Sequence, residues 1–175
     1  MRLFHISEDS NVKEFVPRKS YRDDMKESPP VVWAVNEKCM VNFLTPRDCP
    51  RLTYHIGPET TEVEKEMFFS SKKVDHVVII EHDWYERMKN TTLYIYEFER
   101  EHFYLQDTIA GYYVSEHTEI PIAVHEVTDL FSALAKCNVE VRLLPRLWDM
   151  RKKIIDSNLN YSLCRMKFAQ KALTP

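Results

Sequence analysis

Glycine is nearly missing from this chain: Gly57 and Gly111 are the only two in 175 residues. Phosphate-cradling loops such as GxGxxG and GxxxxGKS/T need several backbone positions that only glycine tolerates, so Rossmann dinucleotide binding and P-loop hydrolysis are excluded. Cysteine is sparse too, and Cys39, Cys49, Cys137 and Cys164 form no CxxC pair. That spacing supports neither a disulfide framework nor a zinc ribbon and reads as reduced intracellular thiols. No apolar run approaches the roughly 20 residues that span a bilayer. The opening MRLFHIS runs straight into strand-like sequence without the apolar core of a signal peptide, so the expected location is cytoplasmic, away from membranes. A basic excess is also lacking: 24 Lys and Arg face 27 Asp and Glu, for a net charge of -3. No global field is present to hold a nucleic-acid backbone, and nucleic acid is not favoured as a partner.

What is present is an ordinary globular balance, 44% hydrophobic and 29% charged, consistent with one domain over 1–175. Arg2–Ile6 alternates and reads as a strand, and Val31–Val35 is a near-continuous apolar run that reads as a buried one. Between them, Pro17, the charged stretch Arg18–Glu27 and Pro29-Pro30 read as a mobile solvated loop. Asn36 is placed to cap a short helix carrying Cys39, Met40, Phe43 and Leu44. Strands are expected at Leu52–Ile56, Val74–Ile80, Leu93–Phe98, Gly111–Ser115, Ile122–Val127 and Val139–Leu144. Thr61 and Glu64 have capping-box spacing for a helix burying Val63, Met67 and Phe68. Further helices are expected over Asp83–Lys89, after Thr128 or Asp129 with Leu130, Leu134 and Cys137 inward, and from Pro145 with Leu147, Trp148, Ile154 and Ile155 inward. The tail from Lys167 is expected to fray. Seven or eight strands without strict βα alternation predict an α+β fold with a mixed, mainly antiparallel sheet and short helices.

The densest chemical feature is Pro46-Arg47-Asp48-Cys49-Pro50-Arg51. Arg47 and Arg51 would suit a phosphate or carboxylate, and they would also lower the pKa of Cys49 and activate it. The plainer alternative is an Arg47–Asp48 or Arg51–Asp48 pair pinning a turn around a buried Cys49. On the first strand, His5 and Ser7 share a face and would hold a ribose or an amide, although a strand histidine is more often satisfied by a backbone carbonyl. The seven histidines show no HExxH or HxH pattern, so no metal is expected. Tyr94, Tyr96, Phe98, Tyr112 and Tyr113 read as core and cross-strand pairs before they read as a stacking surface for bases. Asp107, Glu116, Glu119, Glu126 and Glu140 are carboxylates able to act as a base or to stabilise a sugar cation.

FHISEDSNVKEFVPR, PPVVWAVNEKCMVNFLTPRDCPR, GYYVSEHTEIPI and VEVRLLPRLWDMRKKIIDSNLNYSLCRMKFA together resemble an uncharacterised bacterial family of unknown function that covers almost the whole chain. FHIS, VVWAV and the IP turn after YYVSEHTE are also similar to the ADP-ribosyltransferase-like fold. That second resemblance implies an NAD or related nucleotide cleft, with His5, Ser7 and Trp33 on the ligand and Arg47 or Arg51 on its pyrophosphate. Where such a fold carries its catalytic glutamate, this chain has Gly111, Tyr112 and Tyr113, and Glu116 or Glu119 is displaced. Glu116 is the carboxylate the resemblance assigns to catalysis, with transferase or glycohydrolase chemistry implied. The rival reading is a non-enzymatic ligand- or protein-binding module that uses the PRDCPR loop.

Overall fold

The computed structural model describes residues 1–20, 25 and 27–172. It has the mixed α+β content expected, with two mostly antiparallel sheets and five short α-helices among the described residues. The chain divides into two compact units: unit 1 is Met1–Met40 with Leu93–Val127, and unit 2 is Val41–Thr92 with Thr128–Pro175.

Unit 1 is a six-stranded antiparallel sheet. Its strands are β1 (Leu3–Ser7), β2 (Val32–Asn36), β5 (Leu93–Phe98), β6 (Tyr104–Asp107), β7 (Tyr112–Ser115) and β8 (Ala123–Val127), in the order β6-β7-β2-β1-β5-β8. Alternation puts Leu3, Val32, Ala34, Tyr96, Phe98 and Tyr113 in one apolar cluster, joined by Phe103 and partly by Val12 and Phe15. The segment before β2 crosses this face, where Tyr96 Oη donates to the Asp9 carbonyl at 2.6 Å and accepts from the Val12 N–H at 3.2 Å. Backbone pairs Phe15–Glu119 and Arg18–Val31 fasten that segment further along. The part of the expected mobile loop at 21–24 and 26 lies outside the described residues. Asn36 does cap the short helix α1 (Glu37–Met40), accepting the Cys39 N–H at 2.9 Å. Gly111 is required beside it: φ is +66°, and a Cβ there would sit 2.6 Å from the Asn36 side chain.

Unit 2 is a four-stranded sheet of β3 (Arg51–His55), β4 (His76–Glu81), β9 (Glu140–Leu144) and β10 (Asn160–Cys164), in the order β10-β3-β4-β9. The β4–β9 pair is parallel and the other two are antiparallel. Leu52, Tyr54, Val77 and Ile79 pack with Phe68 of α2 (Glu62–Phe68) and with Leu147 and Ile154, the latter on α5 (Trp148–Ile155). Thr61 and Glu64 form the expected capping box, yet Val63 and Met67 are 67% and 69% exposed, and Phe68 and Phe69 carry the packing instead. In α4 (Leu130–Lys136), Leu130 and Leu134 are buried as expected, whereas Cys137 is exposed. Helix α3 (Tyr85–Asn90) follows a short 3-10 turn. The chain does not fray at Lys167: the Gln170 N–H donates to the buried Glu81 carboxylate at 2.9 Å, and Trp148 Nε1 donates to the Gln170 carbonyl. No helix among the described residues is long and apolar enough to cross a membrane.

Candidate functional site

The arginine-rich loop lies in unit 2, and most of its chemistry is turned inward. Arg51 starts β3 and is 6% exposed. Its Nε donates to the Asn42 carbonyl, one Nη donates to the Cys49 carbonyl at 3.1 Å, and the Phe43 ring lies 5.1 Å from the guanidinium. The expectation of Arg51 as an anion contact is therefore corrected: β3 is buried on both faces, and backbone carbonyls engage the guanidinium there. Arg47 is exposed. Asp48 pairs with Arg165, 3.6 Å away, and adopts φ 65°. Burial pushes the Cys49 thiol up to about 12, and the opposing Arg51 and Arg87 charges do not offset it. Such a thiol holds almost no thiolate at neutral pH, which overturns the reactive-cysteine reading.

The other expected site residues belong to unit 1, but they do not share one surface. His5 Nδ1 donates to the Trp33 carbonyl at 2.9 Å, and the Phe15 ring sits 4.8 Å from the imidazole. Burial lowers the pKa of His5, so the ring is neutral. Ser7 lies on the same face, where its Oγ accepts the Asp9 N–H. Trp33 points to the opposite face and meets Tyr112 edge-on at 5.3 Å. Glu116 is exposed just past β7 and accepts from Tyr104 Oη at 3.3 Å.

A separate polar cluster, without Glu116, is supplied by the end of β7 and the β5–β6 turn. Ser115, fully buried, donates from Oγ to Glu119 Oε1 at 2.5 Å and accepts the His117 N–H at 3.1 Å. Glu119 is 7% exposed, and the same Oε1 lies 3.4 Å from His102 Nδ1. His102 reaches this position because its neighbour Phe103 turns inward against Phe98, at 5.6 Å between rings, which leaves the imidazole outside. His117 lies beside it, 4.8 Å between centroids. The arrangement superficially suggests a Ser-His-Glu triad, but the order is wrong. The carboxylate sits between serine and imidazole, and the buried hydroxyl faces no solvent, so Ser115 clamps Glu119 rather than acting as a nucleophile. The carboxylate lies at ion-pair distance from a half-exposed imidazole, a pairing open to use as a general base.

A second carboxylate–imidazole pair occurs on the opposite face of the sheet. Glu97 lies 3.3 Å from His125 Nε2 and 3.6 Å from an Arg2 Nη. Arg2 already balances that carboxylate and reaches Glu37 as well, so among the described residues Glu119 is the buried carboxylate that meets a histidine without an arginine. Of these residues, only Glu116 and Glu119 stand out in the sequence; Ser115 and His117 carry the weak local signal of alternation with Glu119, and His102 has none. Among the described residues no group of three or more His, Cys, Asp or Glu side chains is placed to hold a metal ion.

Comparison with the curated proteins and with the solved structures finds no match. A family model, the family of unknown function DUF6886, matches residues 4–169, a span that takes in β1 to β10 except the first residue of β1, and the chain belongs to that family.

Proposed function

We propose that unit 1 binds NAD or a related ribosyl nucleotide, and that its groups are equipped to hydrolyse the bond between ribose and nicotinamide. The observation that carries this reading is the Ser115-clamped, buried Glu119 3.4 Å from the half-exposed His102, with His117 alongside. Support for the ligand class comes from the FHIS strand and its resemblance to the ADP-ribosyltransferase-like fold. In the proposed step, His102 Nε2 takes a proton from water as the oxygen bonds to the anomeric carbon. The bond from that carbon to the pyridinium nitrogen breaks, and its electron pair leaves with neutral nicotinamide. Glu116 faces the positive charge that develops on the sugar. The products are ADP-ribose, nicotinamide and one proton.

A thermal-shift titration with NAD, ADP-ribose, nicotinamide and AMP tests binding. At a hundredfold excess over Kd, a ligand stabilises the native state by about 2.7 kcal/mol. Nicotinamide release then tests the chemistry, with His102→Gln expected to slow it ~100-fold or more. No shift with any of the four ligands overturns the reading and moves attention to the exposed Arg47 as part of a binding surface.

A further inference from the structure

The net charge of -3 averages over an uneven chain. Residues 142–171 carry eight Lys and Arg against Asp149 and Asp156, a net of +6. The other 145 residues, with 16 Lys and Arg and 25 Asp and Glu, carry -9. The whole basic stretch lies in unit 2. Arg142 is engaged, donating to Glu140 and to the Phe68 carbonyl. The exposed cations are Arg146 before α5, Lys152 and Lys153 on it, and Arg165, Lys167 and Lys171 after β10. Folding draws these two stretches together. Leu147 and Ile154 are buried in the same apolar cluster on which Met166 and Ala169 pack, so α5 and the tail cover one core. The bond from Trp148 Nε1 to the Gln170 carbonyl joins them directly. At the start of the tail, the Arg165–Asp48 pair at 3.6 Å brings the loop carrying the exposed Arg47 to the same segment.

Two further features distinguish this surface from an ordinary solvated face. Arg165 has φ 57°, a left-handed position that glycine, asparagine or aspartate ordinarily fills. Its charge is therefore held at a conformational cost, a pattern that clusters at ligand-binding turns. Aromatic rings also sit among the cations. The Arg151 guanidinium lies 5.7 Å from the centre of the partly exposed Trp148 ring, and Lys167 Nζ lies 4.8 Å from that of Phe168, which is 43% exposed. A cation beside an accessible ring meets a nucleotide twice, the base by stacking and the phosphate by charge. An acidic peptide would use the charges and leave the rings idle. A lipid surface needs apolar side chains to insert, whereas the indole is held by Gln170 and only Phe168 and Ile155, 37% exposed, are offered here. We propose that the α5 and tail surface of unit 2 binds single-stranded nucleic acid, with bases on Phe168 and Trp148 and phosphates on Arg151, Lys167 and the exposed cations around them. A whole-chain charge count argues against such a partner only because the acidic remainder cancels this patch. The proposal is independent of the reading of unit 1.

The test is fluorescence anisotropy of the full chain with a labelled mixed-sequence oligonucleotide of about a dozen nucleotides, as single-stranded RNA, single-stranded DNA and duplex. Either single strand should bind more tightly than the duplex, and the comparison of RNA with DNA separates the two sources. Phe168→Ala should weaken binding ~5- to 150-fold, the loss of one stacked base, and Phe168→Tyr should retain most of the affinity. Lys167→Gln should reduce the slope of log affinity against log salt by about 0.7, the share of one phosphate on a single strand, while Phe168→Ala leaves that slope unchanged. The exposed pair Lys152→Glu with Lys153→Glu tests the helix side without touching the tail, and should also weaken binding. Absence of binding by both single strands at low salt overturns the proposal, as does a preference for the duplex or for vesicles containing phosphatidylserine. Affinity unchanged by both Phe168→Ala and the lysine pair overturns the assignment to this surface. Nicotinamide release tests unit 1 separately and is unaffected by any of these outcomes.

Discussion

In unit 1 the buried carboxylates Glu97 and Glu119 each touch an imidazole that is about half exposed. In unit 2 the buried Arg51 donates to two backbone carbonyls, and the buried His76 donates from Nε2 to Asn42 Oδ1 at 2.6 Å while stacking on His55 at 5.1 Å. Both sheets bury ionisable side chains; what separates them is where the partner sits. A buried polar group must be hydrogen-bonded wherever it is, so burial and pairing alone say nothing about function. When the partner is also inside, the pair organises the fold. When the partner reaches water, its second nitrogen is available to a substrate.

The largest effect that would sharpen this contrast is chemical. With its pKa near 12 against 9 for an ordinary thiol, Cys49 holds about 1,000-fold less thiolate than an ordinary thiol below pH 9, and it is buried where Cys137 is exposed. Iodoacetamide with peptide mapping should find Cys137 modified first and Cys49 last, with the Cys49 rate rising about tenfold per pH unit. Early labelling of Cys49 would mean that unit 2 is open where it reads as closed. Next comes Arg51→Met, expected to destabilise the protein by about 3 kcal/mol in urea unfolding, because the Asn42 and Cys49 carbonyls lose a charged donor inside the core. A loss under 1 kcal/mol would show that water reaches those carbonyls.

The most direct comparison replaces one residue type in both units. His76→Ala should cost about 2 kcal/mol, through a cavity and an orphaned Asn42 oxygen. His102→Ala should change stability by less than about 0.5 kcal/mol, since its side chain is 47% exposed. Equal costs would erase the distinction between an inward and an outward pair. The smallest effect concerns acid. Glu64 is held down to about 2 by the Asn158 N–H first, then by the Thr61 N–H and hydroxyl. Its contribution is present above pH 4.5 and is lost as the pH falls toward 2. Melting curves of Glu64→Gln should therefore converge on the native curves at the acid end of that window and separate above it.

Much of the framework was legible because local signals agreed with tertiary demands. Leu93–Phe98 is strand in sequence and structure alike, and the Thr61–Glu64 box and the Asn36 cap both form. Strands β6 and β10 were missed because YLQD and NYSLC lack the apolar alternation that marks a half-buried strand; β6 is largely exposed at the sheet edge, and β10 is half-buried at its own edge. Val63 and Met67 have the spacing of a buried stripe, but α2 packs through its C-terminal phenylalanines. In the site, Glu116 and His5 were visible as residue types. Their partners were not, since His102 comes to Glu119 from another turn and Phe15 comes to His5 from a segment with no regular structure. Arg51 was misjudged because the alternation of Arg51, Thr53 and His55 with Leu52 and Tyr54 reads as a solvent face, whereas β3 is buried on both faces.

Strand β1 is a central strand of its sheet, bonded to β2 on one side and to β5, some ninety residues later, on the other. Unit 1 therefore stays incomplete through the synthesis of Val41–Thr92, a stretch that itself waits for β9 and β10 to complete its own sheet. Unit 1 has all its strands only once β8 is made, and unit 2 waits longer still for β9 and β10, so both are expected to mature late, with unit 1 first. Deleting Leu3–Ser7 would remove the strand around which the whole of unit 1 is assembled, although it takes out only five residues.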